Sequence, residues 1–77
     1  MIEFDPTRPK WQQIAEALRE RIETGEYPPR HLISEVALEK EFGVNRLTVR
    51  KATKALRDQG LIVTVRGMGS FVAGPES

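Results

Sequence analysis

Apolar residues early in the chain recur on a helical period. Trp11, Ile14, Ala15, Leu18 and Ile22 fall at i, i+3, i+4, i+7 and i+11, one stripe of an amphipathic helix. The spacing predicts a helix over Lys10 to Glu23, with Trp11 packed in the core at the start of the stripe rather than serving as a stacking platform for a base. Glu16, Arg19, Glu20, Arg21 and Glu23 lie mostly off it. Residues 1–9 carry Pro6 and Pro9 and no period, and read as an extended N-terminal arm. Asp5 and Thr7 are placed to cap the approach to the helix, and Pro9 suits its first turn. Gly25 stops the helix, and Pro28 and Pro29 forbid regular structure in the loop that follows. Tyr27 in that loop is expected to pack against the first helix.

Ser34 is a good N-cap and Glu35 suits the first turn of a second helix over Glu35 to Phe42. Ala37, Leu38 and Phe42 supply its short core stripe, and Val36 projects away from it. Gly43 ends the helix, and Asn45 caps the next over Arg46 to Gln59, closed by Gly60. On that third helix Val49, Ala52 and Leu56 share one arc. Arg46, Arg50, Lys51, Lys54 and Arg57 share the opposite one, with Asp58 as the acid among them. The period then changes. Leu61 to Arg66 is rich in β-branched residues and reads as a strand, Gly67-Met68-Gly69 as a turn and Ser70 to Val72 as a return strand. Arg66 stands at the tip of this hairpin. The fold class is mainly α with a small β-hairpin: a winged helix-turn-helix of three helices and a two-stranded wing. It occupies residues 10–72 as one domain, between the arm and a tail at 73–77.

Composition narrows the function. A chain of 77 residues with 39% hydrophobic residues builds one modest core. There is no cysteine, so no disulfide framework and no thiolate metal site. No apolar run reaches the ~20 residues of a membrane span. The first five residues lack the basic and apolar regions of a signal peptide. The expected setting is the cytoplasm. His31 is the single histidine, and no acid–base pair, nucleophile–base set or metal cluster accompanies it, so neither an enzyme nor a bound cofactor is expected. Net charge is only +1, but residues 1–43 carry net −3 and residues 44–69 net +5. Positive charge gathered in this way fits a local polyanion footprint.

A helix buried along its back with arginines forward suits the major groove of duplex DNA. Arg46 and Arg50, an i, i+4 pair, are placed either to fork onto guanines or to divide between a guanine and a phosphate. The Thr48 hydroxyl either binds phosphate or caps the helix. Lys51, Lys54 and Arg57 lie farther along and supply positive potential. In the wing, Gly67 and Gly69 either let backbone approach a phosphate or the minor groove, with Arg66 beside them, or serve only the tight hairpin turn. The competing reading of this basic face is a winged helix used for protein–protein contact without specific DNA binding.

Order and spacing of motifs carry a further resemblance. They are Trp11-Gln12-Gln13-Ile14-Ala15 with Leu18-Arg19; Gly25-Glu26-Tyr27-Pro28-Pro29; Leu32-Ile33-Ser34-Glu35; Phe42-Gly43-Val44-Asn45-Arg46; Thr48-Val49-Arg50-Lys51-Ala52; Leu56 with Gly60-Leu61-Ile62; and Gly67-Met68-Gly69-Ser70-Phe71-Val72. Together they resemble the DNA-binding domain of the GntR family of bacterial transcriptional regulators. The resemblance implies double-stranded DNA as partner, a palindromic operator bound as a homodimer, and usually repression. It assigns DNA contact to Arg46, Thr48, Arg50 and the wing glycines. The full set expected at the DNA is Ser34, Glu35, Asn45, Arg46, Leu47, Thr48, Arg50, Lys51, Lys54, Arg66, Gly67 and Gly69. The family usually has Pro where this chain has Ile33, often a DNA-contacting Arg where it has Val36, and Ser or Thr where it has Asn45. Family members normally continue into a C-terminal domain that binds an effector and dimerises, so no effector is expected on this domain. Here the sequence stops five residues after the wing. It reads as an excised domain or as a short form that dimerises weakly or borrows a partner, and as a monomer in isolation.

Overall fold

In the computed structural model, which describes residues 3–74, the elements run α1 (Lys10–Thr24), β1 (Leu32–Ile33), α2 (Glu35–Phe42), α3 (Arg46–Asp58), β2 (Ile62–Val65) and β3 (Gly69–Val72). The apolar stripe of α1 packs along α3. Ile14 and Leu18 from α1, Val49 and Leu56 from α3, and Ile62 from β2 are the largest fully buried side chains. Each contributes about 1.5–3 kcal/mol by leaving water. Leu38 and Phe42 complete this core from α2. Trp11 is only partly buried, packed against the rim of the core.

Capping residues set most helix ends. Gly25 takes φ 87° and donates its N–H to Ile22, so α1 extends one residue past the expected Glu23. The Ser34 hydroxyl accepts from the Ala37 N–H at 3.1 Å. Gly43 takes φ 65°, and the Glu39 carbonyl accepts the N–H groups of both Gly43 and Val44. Asn45 Oδ1 accepts from the Thr48 N–H at 2.9 Å and from its hydroxyl at 3.0 Å. Helix α3 stops at Asp58 rather than Gln59. Gly60 N–H bonds the Arg57 carbonyl and Leu61 N–H the Leu56 carbonyl, the paired bonds of a Schellman end.

The expected two-stranded wing is the antiparallel β2–β3 hairpin, and the short β1 adds a third strand to it, giving the order β1-β3-β2. Leu32 pairs with Phe71 and Ile33 with Ser70. Along the hairpin, Ile62 pairs with Val72 and Val65 with Gly69. Ile33, Ile62 and Val72 are buried, so the root of the sheet seals the core while the hairpin projects. Strand β2 is one residue shorter at each end than the expected Leu61–Arg66, and β3 begins one residue before the expected Ser70. Leu61 leaves the helix cap, and Arg66, Gly67 and Met68 form the turn.

The arm also departs from expectation. Its Pro6–Arg8 stretch turns, and Gln13, a buried polar residue on α1, binds it. Gln13 Oε1 accepts from the Asp5 N–H, while its Nε2 donates to the carbonyls of Asp5 and Arg8. Asp5 does not cap α1. Its carboxylate accepts from the Thr7 hydroxyl and N–H, which hold its pKa below the usual carboxylate value. Pro9 occupies the N-cap without a side-chain bond. Phe4 packs on the core, its ring centroid 6.4 Å from that of Phe42.

Arg21 is likewise not a solvent residue. It bonds Glu41 on α2, donates to the Tyr27 hydroxyl at 2.8 Å and lies over the rings of Tyr27 and Phe42. The Glu41 contact raises the guanidinium pKa above its ordinary value and lowers that of the carboxylate. Tyr27 stacks on His31, with centroids 4.3 Å apart. Of the expected tail, Ala73 donates to the Leu61 carbonyl at 2.9 Å, and residues 75–77 lie outside the described residues, as do residues 1–2 of the arm.

Candidate nucleic-acid interface

Helix α3 is buried along Val49, Ala52, Thr53 and Leu56. A 13-residue helix anchored along one side must present the opposite side outward. Arg46, Leu47, Arg50, Lys51, Lys54 and Arg57 are all exposed there, and Leu47 is 62% exposed. Thr48 is half-buried, and its hydroxyl is engaged by the Asn45 cap. Ser34 is committed in the same way to capping α2.

The arginine pair is not as free as the α3 sequence alone implies. Two carboxylates from α2 reach across the turn. Arg50 Nε lies 3.4 Å from both Glu35 oxygens, and Arg46 Nε lies 3.3 Å from Glu39 Oε2. Glu35 and Glu39 are one helical turn apart, as are Arg46 and Arg50, so the contacts form two rungs between the crossed helices. Lys54 pairs with Asp58 at 2.9 Å. Glu39 was not among the expected site residues. An acid seven positions before Arg46 is visible in the sequence, but the crossing angle that brings them together is not.

The wing stands beside this face. A groove lined by Ile33, Ser34, Glu35, Val36, Arg46, Thr64, Gly69 and Ser70 runs between the starts of α2 and α3 and the sheet. It gathers four of the expected site residues, Ser34, Glu35, Arg46 and Gly69, and includes Val36. Gly67 and Gly69 take φ 80° and 116°, conformations that favour glycine. A Cβ at Gly69 would lie 3.3 Å from Leu32 Cδ1, the end of an exposed side chain that can move, so the preference for glycine there comes from its backbone conformation. Arg66 is exposed at the turn. Arg57, expected only to add positive potential, donates to the Thr64 hydroxyl at 2.8 Å and ties α3 to the wing.

Among the described residues, no group of three or more His, Cys, Asp or Glu side chains is arranged to hold a metal ion, and no helix is long and apolar enough to cross a membrane.

Comparison with known proteins gives the same architecture. The sequence profile of the family described as "Bacterial regulatory proteins, gntR family" matches residues 10–72. The histidine utilization repressor of Klebsiella aerogenes is 38% identical over 69 residues, covering 88% of this chain and 29% of that protein. The mannosyl-D-glycerate transport/metabolism system repressor MngR of Escherichia coli is 41% identical over 66 residues, covering 84% and 28%. The chain thus spans under a third of the length of these relatives. Among solved structures, the AraR DNA-binding domain in complex with its operator matches with a TM-score of 0.81 at 38% identity, covering 95% of this chain and 89% of that one. The chain belongs to the gntR family of bacterial regulatory proteins and has the winged helix-turn-helix fold of that family's DNA-binding domains.

Proposed function

We propose that this domain binds double-stranded DNA at a defined operator as the reading module of a gntR-type transcriptional repressor in the bacterial cytoplasm. Helix α3 enters the major groove with its N-terminal turn leading, so that Arg46 and Arg50 reach base edges. Ser34, Glu35, Asn45, Leu47 and Thr48 frame that turn, with the Asn45–Thr48 cap fixing its direction. Lys51 and Lys54 face the backbone and add counterion-releasing contacts. Arg66, Gly67 and Gly69 bring the wing to the adjacent phosphates or minor groove. A palindromic operator holds two copies, and effector control resides outside this domain.

The observation that carries this reading is the exposed Arg46–Arg50 edge beside the wing. It occurs in a fold matching the operator-bound AraR domain at a TM-score of 0.81. Selection of bound sequences from a random duplex pool tests it. The expected result is one enriched motif recurring as an inverted repeat. A pool that remains random after several rounds would remove specific DNA recognition and leave the protein-contact reading in its place.

A further inference from the structure

Three features place Glu39 at the reading edge. It lies in α2, yet its carboxylate reaches Arg46 on α3 at 3.3 Å. Its carbonyl accepts both N–H groups at the turn, from Gly43 at 2.9 Å and Val44 at 3.2 Å, so its backbone is fixed where the helices meet. Its side chain is 26% exposed against 54% for Arg46, making the acid the better anchored partner. Contact is through Nε, the guanidinium nitrogen nearest the stem. The two terminal nitrogens carry four more N–H donors, enough for a fork onto a base without Nε.

From this geometry we infer that Glu39 is a positioning residue that sets the sequence discrimination of Arg46. This rests on the DNA-binding reading above. A free arginine on an exposed helix lowers its energy on any nearby phosphate, which supports binding without regard to sequence. An arginine held at Nε by a carboxylate offers less net charge to a phosphate. It keeps a directed pair of donors for guanine, and ordering its stem beforehand reduces the entropy lost on reading. Near the backbone the carboxylate also repels phosphates, which weakens misregistered complexes more than the matched one. Glu39 thus lowers affinity for random DNA and sharpens the choice of base.

The test compares Glu39→Gln with the wild type on two duplexes of equal length, the sequence selected from the random pool and a scrambled version of it. Glu39→Gln is expected to bind the scrambled duplex more tightly and the selected one no more tightly. The ratio of the two constants should fall about twofold to fivefold, the scale an exposed ion pair supports. In an Arg46→Ala background the same substitution should leave that ratio unchanged. Glu39→Asp retains the charge on a shorter stem and should also lower the ratio. The inference is overturned if Glu39→Gln shifts both duplexes equally, or if its effect on the ratio persists without Arg46, since either result assigns Glu39 a purely general charge effect. It is equally overturned if the ratio does not move. A wild type that itself shows no preference between the duplexes would instead refute the DNA-reading function, so the two failures are distinct. Matching thermal melts establish that the variants fold.

Discussion

Arg57 Nη1 donates to the Thr64 hydroxyl at 2.8 Å, and that hydroxyl shares a second hydrogen bond with Ser70 at 3.0 Å. One guanidinium thus joins the last turn of α3 to both strands of the hairpin. The recognition helix and wing are braced by a polar chain outside the core. Arg57→Ala is expected to cost under about 1 kcal/mol of global stability, because the contact is exposed. Amide exchange across β2 and β3 should nevertheless speed up. Unchanged wing exchange in the variant would show that Arg57 does not brace it.

The two arginines at the leading edge should behave alike. Arg46→Ala and Arg50→Ala are each expected to weaken binding to the selected operator by ~1–3 kcal/mol. Neither side chain enters the core, so circular dichroism spectra and melting curves should stay close to wild type. Full-strength binding by both variants in fluorescence anisotropy would place the groove contact elsewhere.

Salt separates the trailing cations from the leading ones. Binding should weaken linearly on a log–log scale as salt rises, because each contacted phosphate releases counterions. Lys51→Ala is expected to weaken all sequences to a similar degree and to reduce the slope by about 1. Titrations over several salt concentrations measure both quantities, and a sequence-dependent loss would make Lys51 a base reader.

The Arg21–Glu41 contact gives stability an acid limb. Arg21 holds the Glu41 carboxyl below its ordinary value of 4.5. The folded state therefore binds this proton less readily than the unfolded chain. The contribution is present above the unfolded value and lost as pH falls through the folded one. The carboxylate is 39% exposed, so Glu41→Gln should cost no more than ~1 kcal/mol at neutral pH. Urea midpoints followed downward through the carboxylate range should show a shallower acid loss in the variant. Parallel curves for the two proteins would exclude the pair as a source of acid sensitivity.

Much of this fold was legible because its punctuation is chemical and local. Ser34 and Asn45 cap with their own side chains, and Gly25, Gly43 and Gly60 adopt conformations that other residues resist. The burial of Val49, Ala52 and Leu56 followed from period alone. What escaped depends on residues distant in sequence. A two-residue strand such as Leu32–Ile33 has no period to detect, and only β3 makes it a strand. Gln13 has the wrong chemistry for a buried stripe, and its burial makes sense only once the Asp5 and Arg8 backbone is folded onto it. Arg21 looked like one of several surface charges until Tyr27 and Phe42 closed around it. At the site, the cationic arc of α3 was visible in one dimension. The ion pairs that oppose it were not, because Glu35 and Glu39 meet the arginines from another helix at an angle that no spacing encodes.

The pairing of β1 with β3 encloses the helix-turn-helix between its two strands. Chain closure across so long a segment is entropically costly until α2 and α3 have already drawn the ends together. The helices should therefore form early from local contacts and the sheet should form last. Substitutions at Leu32 are expected to accelerate unfolding while leaving the folding rate nearly unchanged, which stopped-flow measurements in urea would reveal. The wing is then the part of the domain that opens most readily by itself. A protease sampling the native protein should cut first near Gly67, with the three helices still assembled behind it.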